Sequence, residues 1–427
     1  MKERLAIVDG IRTPFAKAGG QFKDVSADHL GSVVAREVIA RTGISGDQLD
    51  EVIFGNVSQP ANAANIARVI ALRAGVPQSV PAYTVHRNCA SGMESVTTAA
   101  NKILAGAASI ILAGGTESMS NIPLLFNKTM TRFFEDLGRA KSVGQRLKVI
   151  STFRLGHLAP VIGVVEGLTD PVCGLLMGQT AEKLSRDWAI GREEQDRFAL
   201  QSHQKAIAAL PRLAEEIVPL PIPPRFEFVA QYDDGPRNSQ SMEALGKLSP
   251  YFDRKTGTVT VGNSCPLTDG ASAVLVMSES HAKSLGYRPL GYLRSYAYAG
   301  LEPERMGLGP VYAAAKALDI AGMTVGDIDL FEINEAFAAQ VIANLRAFDS
   351  NEFAMSKFGK SKKLGSIDPD KLNVNGGAVA LGHPVGTSGN RLILTLLKEL
   401  RRRGLNRGLA SLCIGGGQGG AVILEVE

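Results

Sequence analysis

The chain has 427 residues, 45% apolar and 21% charged, the balance of a folded globular protein and more than a single hydrophobic core of about 250–300 residues usually holds. A net charge of only +4, with no dense Lys/Arg stripe interleaved with aromatics, argues against nucleic acid as a partner. The four cysteines, Cys89, Cys173, Cys265 and Cys413, form no CxxC pair, so neither a metal site nor a secreted disulfide framework is expected.

The opening run from Met1 to Asp9 enters a strand-like stretch at Leu5–Val8 without a signal or transit-peptide pattern, so a cytoplasmic protein is expected. Further strand-like runs at Glu51–Phe54 and Ser109–Ala113 alternate with helix-period segments near 28–42, 64–74 and 90–105. This alternation predicts an α/β fold with helices packed on a largely parallel sheet.

Residues 121–245 have a different texture, Pro-rich near Pro219–Pro224 and polar near Gln231–Gln240, with a helix predicted over 192–209. They read as an inserted lobe. Its first part, 121–160, carries Lys128, Arg132, Arg139, Lys141, Arg146, Lys148 and Arg154 against only Glu135 and Asp136, among Leu124, Leu125, Phe126, Phe133 and Phe134. Such a segment suits phosphates, an acidic partner or a membrane surface; the plain alternative is an amphipathic helix packed on its own core.

After about residue 286 the first rhythm returns, with strands at Leu290–Ser295, Asp329–Glu332 and Leu409–Ile414 and helices at 309–318, 335–347 and 387–402. Ser91-Gly92 and Ser388-Gly389 each open a helix that leads to an apolar run and a glycine cluster. The chain therefore reads as a duplicated architecture, although Gly-flanked βα units also resemble one another by chance.

Four segments carry candidate chemistry. Cys89, in His86-Arg87-Asn88-Cys89-Ala90-Ser91-Gly92, stands at a predicted helix start, where unpaired amides and the dipole favour the nucleophilic thiolate over an ordinary buried thiol. His383 lies in the glycine-rich run 375–389, a tight loop where an imidazole can take a thiol proton or donate to a thioester oxygen. Cys413 precedes Gly415-Gly416-Gly417 at a strand end, a place where α/β folds assemble sites; no phosphate-loop motif is present there. Asn334, in Glu332-Ile333-Asn334-Glu335-Ala336-Phe337, reads either as a helix cap or as the holder of a water that donates to an oxyanion.

Taken in order, Ile11–Phe15, Cys-Ala-Ser-Gly at 89–92, Gly-Gly-Thr-Glu-Ser-Met at 114–119 and Met-Gly-x-Thr-Ala-Glu at 177–182 resemble the thiolase family. Thr268–Ala271, Asn-Glu-Ala-Phe at 334–337, Gly-His-Pro at 382–384 and Cys413 with its glycines continue the resemblance over nearly the whole chain. It implies a duplicated thiolase-type α/β fold, with two similar βα halves, mixed sheets, and helices packed between and outside them. The halves would be 1–120 with 246–285 and 286–427, and 121–245 would be an inserted loop domain on the coenzyme A side.

The same resemblance implies that Cys89 takes the acyl group, His383 activates it and Cys413 moves the proton at the α-carbon. Asn334, through a water, and His383 would form one oxyanion hole, and the amides of Cys89 and Gly415 the other. Met177, Phe337 and Cys265 would line the pantetheine path, with coenzyme A or acyl-CoA as substrate, no permanently bound cofactor and no metal. Cys265 stands where many relatives carry serine, and Leu176 where short-chain enzymes often carry histidine.

Segments at 142–147, 247–254 and 291–296 resemble thiolase subunits of fatty-acid β-oxidation complexes. They imply 3-ketoacyl-CoA thiolysis and a hydratase/dehydrogenase subunit as a candidate partner, while the thiolase resemblance as a whole implies a homo-oligomer, a dimer or tetramer. Asn334 and Ser91-Gly92 look more like free-standing thiolases. The alternatives are an acetoacetyl-CoA thiolase and a non-catalytic acyl-CoA or lipid carrier.

Overall fold

The protein is described by a computed structural model over residues 3–427; Met1 and Lys2, the first residues of the opening run, lie outside the described residues. Contacts divide it into two compact units, residues 3–121 with 170–427, and residues 122–169.

The larger unit is built on a ten-stranded sheet. Its strands are β1 (Leu5–Arg12), β2 (Ala16–Lys17), β3 (Glu51–Gly55), β4 (Ala82–Val85), β5 (Ile110–Ser118), β6 (Thr268–Ser278), β7 (Gly291–Gly300), β8 (Leu330–Ile333), β9 (Arg407–Ile414) and β10 (Gln418–Glu425). They run in the order β8-β9-β10-β7-β1-β6-β5-β3-β4, with β2 paired to β6.

The expectation of a largely parallel sheet is corrected. Only β8/β9, β3/β4 and β3/β5 are parallel, and the central strands from β9 through β5 pair antiparallel. One cause is visible in the chain: Gly415–Gly417 joins β9 directly to β10, with Ile414 opposite Gln418, and so short a link permits only an antiparallel return. Gly416 and Gly417 take φ of 89° and 78°, and a Cβ on Gly417 would stand 2.3 Å from the Leu301 carbonyl oxygen, so the turn requires glycine.

Side chains alternate across each strand and sort into three apolar layers. Ile110 and Leu112 of β5 face the helices Ala27–Thr42 and Ile66–Arg73. Ile111 and Ala113 face the opposite way, into a layer containing the helices Ser91–Leu104 and Ser388–Arg403. Leu412 and Ile414 of β9 enter that same central layer from the other half, while Leu409 packs with the helices Gly309–Ala321 and Ala338–Phe348. Helices thus lie both between the half-sheets and outside them.

The two central helices meet backbone to backbone. A Cβ on Gly92 would stand 3.0 Å from the carbonyl oxygens of Gly386 and Thr387, and one on Gly389 would stand 2.6 Å from the Met93 nitrogen. The repeated Ser-Gly pairs therefore serve a close helix crossing that a larger residue would push apart.

The smaller unit joins a two-stranded ribbon, Leu124–Phe126 with Pro160–Ile162, to helices at Lys128–Arg139 and Val143–Ile150. Asn127 caps the first by accepting from the Met130 amide at 2.9 Å, and Ser142 with Gln145 forms a capping box on the second. Its buried side chains are Met130 and Ala140, and Phe133, Phe153 and His157 form a half-buried aromatic cluster.

Candidate active site

Cys89 sits in a turn two residues ahead of the Ser91–Leu104 helix. Asn88 before it has φ 43°, a left-handed conformation that asparagine tolerates better than most residues. The turn is closed by the Ser91 hydroxyl, which donates to the Asn88 carbonyl at 2.7 Å and accepts from the Arg87 amide at 2.9 Å. The Asn88 side-chain amide donates to the Gly415 carbonyl at 2.8 Å, tying the cysteine turn to the glycine turn between β9 and β10. The amides of Gly415 and of Cys89 itself favour the Cys89 thiolate.

The expected low thiol pKa is not what results. Burial outweighs the two amides, and the charge of Glu117 adds to it, so the Cys89 thiol is pushed above its ordinary value. A resting thiol of this kind needs a base.

His383 is buried, with only 5% of its surface exposed. Its backbone amide donates to Thr268 Oγ1 at 3.2 Å, and its Nδ1 lies 2.6 Å from Ser388 Oγ. The Ser388 hydroxyl gives its own proton to the Pro384 carbonyl at 3.1 Å, so it accepts from Nδ1–H. That tautomer leaves Nε2 with a bare lone pair, and Nε2 has no partner among the described residues. Burial first, then the charge of Arg391, holds the imidazole pKa down to about 3, so it is neutral at pH 7 and ready to accept.

Ser388→Ala removes the group that selects this tautomer. We expect about a tenfold lower kcat, the equivalent of one hydrogen bond of ~1.4 kcal/mol, read by steady-state kinetics alongside an unchanged circular dichroism spectrum.

The same burial predicts an acid sensitivity. An unfolded imidazole gains its proton below about pH 6.5, whereas folded His383 does not until about 3, so stability falls as pH drops through this window. At pH 5 the loss is about 2 kcal/mol. Glu117 and Glu332, with carboxyls pushed up to about 7 and about 8 by burial, act in the opposite sense. The His383 share is therefore read as the difference between wild type and His383→Gln in urea unfolding at pH 7 and pH 5.

Two buried carboxylates clamp the loop that carries His383. Glu117 on β5 accepts from the amides of Gly386 at 2.9 Å, Ser58 at 3.0 Å and Val57 at 3.1 Å, and from the Asn56 side chain at 3.2 Å. Glu335 accepts from Ser202 at 2.6 Å, from the Asn373 side chain at 2.8 Å and from the Val379 amide at 3.2 Å. Glu117, Glu335, Thr268 and Ser388 all fall within sequence segments noted above, but sequence reasoning assigned none of them this part. A charged residue inside an apolar strand such as β5 was the available signal.

Asn334 follows β8, and its amide donates to the Ser411 carbonyl at 2.9 Å. The capping alternative is set aside: the next helix begins at Ala338 with Phe337 at its cap position. Both polar atoms of the Asn334 side chain are buried and without a partner among the described residues, as suits a group awaiting water or substrate.

Cys413, only 1% exposed, shares an apolar cluster with Met177, Phe252, Cys265 and Phe337. Burial, with Cys89 and Cys265 near by, pushes its thiol well above the ordinary range. Burial, then Cys89, pushes Cys265 up to about 12. Three thiols thus converge.

The Cys265 amide donates to the Ala336 carbonyl at 3.0 Å, and the Phe252 and Phe337 rings meet edge to face at 5.9 Å. A Cβ on Gly415 would meet Met177 Sδ at 3.4 Å. Six of the eight candidate residues named from the sequence, Cys89, Cys265, Cys413, Gly415, Met177 and Phe337, are thus brought together in the larger unit. Asn334 is tied by its amide to the strand that carries Cys413, and the loop that carries His383 passes against the helix that follows Cys89, where a Cβ on Gly92 would stand 3.0 Å from the Gly386 carbonyl oxygen. Surface clefts such as the one of about 470 Å³ between Arg41, Tyr287 and Arg401 lie apart from these residues.

Known proteins resemble this chain over its whole length. Residues 5–280 match the thiolase N-terminal domain and residues 287–426 the thiolase C-terminal domain. The chain is 44% identical, over all of its length and 97% of the relative's, to a 3-ketoacyl-CoA thiolase of Yersinia enterocolitica. Among solved structures it superposes on an acetyl-CoA acetyltransferase of Bacillus anthracis, with TM-score 0.87, 37% identity and coverage of 99% of each chain. Human mitochondrial 3-ketoacyl-CoA thiolase in complex with CoA gives TM-score 0.86 and 37% identity, covering 100% of this chain and 98% of that one. With both family domains matched in order across its length, the chain belongs to the thiolase family.

Proposed function

We propose that this protein is a 3-ketoacyl-CoA thiolase, cleaving 3-ketoacyl-CoA with free coenzyme A to acetyl-CoA and an acyl-CoA two carbons shorter, in fatty-acid β-oxidation. The observation that carries the reading is a buried His383 whose Nδ1 is held by Ser388 and whose Nε2 has no partner among the described residues, in a chain where the Asn88 side chain ties the Cys89 turn to Gly415 at 2.8 Å.

In the first half-reaction His383 Nε2 takes the Cys89 proton, and the sulfur attacks the 3-keto carbon. The oxyanion formed lies at the amides of Cys89 and Gly415. It collapses with cleavage of the C2–C3 bond, whose electron pair passes to an acetyl-CoA enolate. Asn334, through a water, and His383 hold the enolate oxygen, and Cys413 gives its proton to C2. In the second half-reaction the Cys413 thiolate takes the proton of coenzyme A, whose sulfur displaces Cys89 from the acyl group. Cys89 then recovers its proton from His383. The cycle is redox-neutral and closes with every proton returned.

Met177, Phe337 and Cys265 would line the pantetheine arm. The protein would act in the cytoplasm as at least a homodimer, with a hydratase/dehydrogenase subunit as a candidate partner. Ultracentrifugation showing only monomer at micromolar concentration would remove the dimer, and co-expression giving a clean homo-oligomer would remove the partner.

The test is thiolysis of 3-ketoacyl-CoA substrates of four to sixteen carbons. Activity rising with chain length supports the proposal. Activity confined to acetoacetyl-CoA would make the protein an acetyl-CoA acetyltransferase, the reading favoured by its likeness to the Bacillus anthracis enzyme. Inactivity throughout would leave a carrier.

A further inference from the structure

Glu117 is a charged residue on a strand, β5, of otherwise apolar and small side chains. None of its surface is exposed, and no Lys or Arg pairs with it among the described residues. Its oxygens are shared instead among amides from two separate loops. Oε2 accepts from Gly386 at 2.9 Å and Val57 at 3.1 Å, and Oε1 accepts from Ser58 at 3.0 Å and the Asn56 side chain at 3.2 Å. Both oxygens are committed, and only the ionised group can accept on both without turning a proton toward an N–H.

What these bonds hold is the backbone beside the candidate base. Gly386 lies three residues after His383 and two before Ser388, whose hydroxyl selects the imidazole tautomer. The Gly386 carbonyl is packed as closely as its amide: a Cβ on Gly115 would stand 2.2 Å from its oxygen, and one on Gly92, in the helix after Cys89, 3.0 Å from it. Gly386 is thus bonded to Glu117 on one side and lies against the Cys89 helix on the other. A shift of this loop moves the imidazole relative to the sulfur.

We propose that Glu117 is a positioning residue for the reaction: its carboxylate, by holding the Gly386 amide to the loop after β3, keeps His383 in register with Cys89. The inference rests on the thiolysis proposed above. Burial, with the charge of Asp269 on β6 added, pushes the Glu117 carboxyl up to about 7, although three backbone amides pull it down. An acceptor kept only for stability sits below the ordinary carboxylate range; this one is ionised at a cost to folding, a pattern of functional sites. The other titratable groups facing it are Cys89, whose thiol its charge pushes up, and His383, which stays neutral until about 3. Protonation of Glu117 as pH falls through about 7 therefore opens the clamp in a range where His383 does not titrate.

The test is kcat and KM for thiolysis between pH 6 and pH 9 in wild type and in Glu117→Gln, a variant of the same shape that cannot ionise and turns an amide donor toward the donors the carboxylate served. Wild-type kcat should fall by about tenfold per pH unit below about pH 7. At pH 8 Glu117→Gln should lower kcat about 10²-fold, the scale of a misplaced catalytic group, leave KM within about twofold, and show no acid limb between pH 6 and pH 8. A merely structural loss would lower the folded fraction and keep the limb. A second measurement needs no variant: deuterium uptake by residues 382–389 of wild type, corrected for the intrinsic pH dependence of exchange, should rise as pH falls through about 7, in step with the loss of kcat.

Glu117→Gln with kcat within about twofold of wild type overturns the inference. So does an acid limb that survives in the variant, which then belongs to another group such as Glu332, and so does wild-type uptake that is constant across this window. If the variant does not fold, the wild-type uptake and pH profile decide. Wild type inactive on every substrate removes the thiolysis reading and this role with it, whereas an active wild type with an unaltered variant removes this role alone.

Discussion

Cys89→Ala is expected to lower the rate of 3-ketoacyl-CoA thiolysis by about 10⁴–10⁶, the scale seen when a covalent nucleophile is removed. The two neighbouring thiols cannot take over. Cys413 and Cys265 are more strongly disfavoured as thiolates, the first pushed well above the ordinary range and the second up to about 12. Neither has the pair of amides that favours the Cys89 thiolate, from Gly415 and from its own backbone. Folding should be little affected, because the thiol occupies a turn fixed by the Ser91 hydroxyl and the Asn88 side chain rather than by its own packing. Intact-mass measurement during turnover supplies the check: wild type gains the mass of an acyl group and Cys89→Ala does not. A variant that keeps a tenth of the activity, or still acquires the acyl mass, would remove Cys89 from the role.

Much of the site was legible in the sequence because its groups lie in short segments of unusual composition: a cysteine at a helix start, a histidine among glycines, a cysteine before a glycine turn. What could not be read is what depends on distant partners. Glu117 holds the Gly386 amide across 269 positions of chain, and Thr268 holds the His383 amide across 115; no local pattern encodes either contact. The Cys89 thiol was misjudged for a related reason. Helix-start amides were visible in the sequence, but the burial that outweighs them comes from tertiary packing.

The fold divides in the same way. Strand and helix positions followed from periodicity, with Glu51–Phe54 and the segment near 28–42 found close to where the structure has them. Strand direction did not follow, because β6 was hidden among small and polar residues and β10 lies beyond the glycines where the sequence reading stopped. Two unread antiparallel strands were enough to make a mixed sheet look parallel.

Cys413→Ala is expected to lower kcat by about 10²–10⁴, the contribution typical of a positioned general acid and base, while leaving Cys89 reactive. The thiol is 1% exposed and its pKa is held well above the ordinary value by burial, so at pH 7 it is protonated. That is the form required to deliver a proton to the enolate carbon. Once the proton has gone, the same burial makes the thiolate a strong base, able to take the proton from the thiol of coenzyme A. One environment thus serves both half-reactions in sequence. Cys413→Ser should not restore activity, because a hydroxyl in that apolar cluster is a far weaker acid than the thiol. Two measurements separate this role from a structural one. Alkylation of Cys89 by iodoacetamide should stay within about twofold of wild type, since Cys89 depends on His383 and its amides. Exchange of the acetyl-CoA methyl protons with deuterated solvent should fall together with kcat. Methyl exchange at the wild-type rate in Cys413→Ala would show that another group moves the proton.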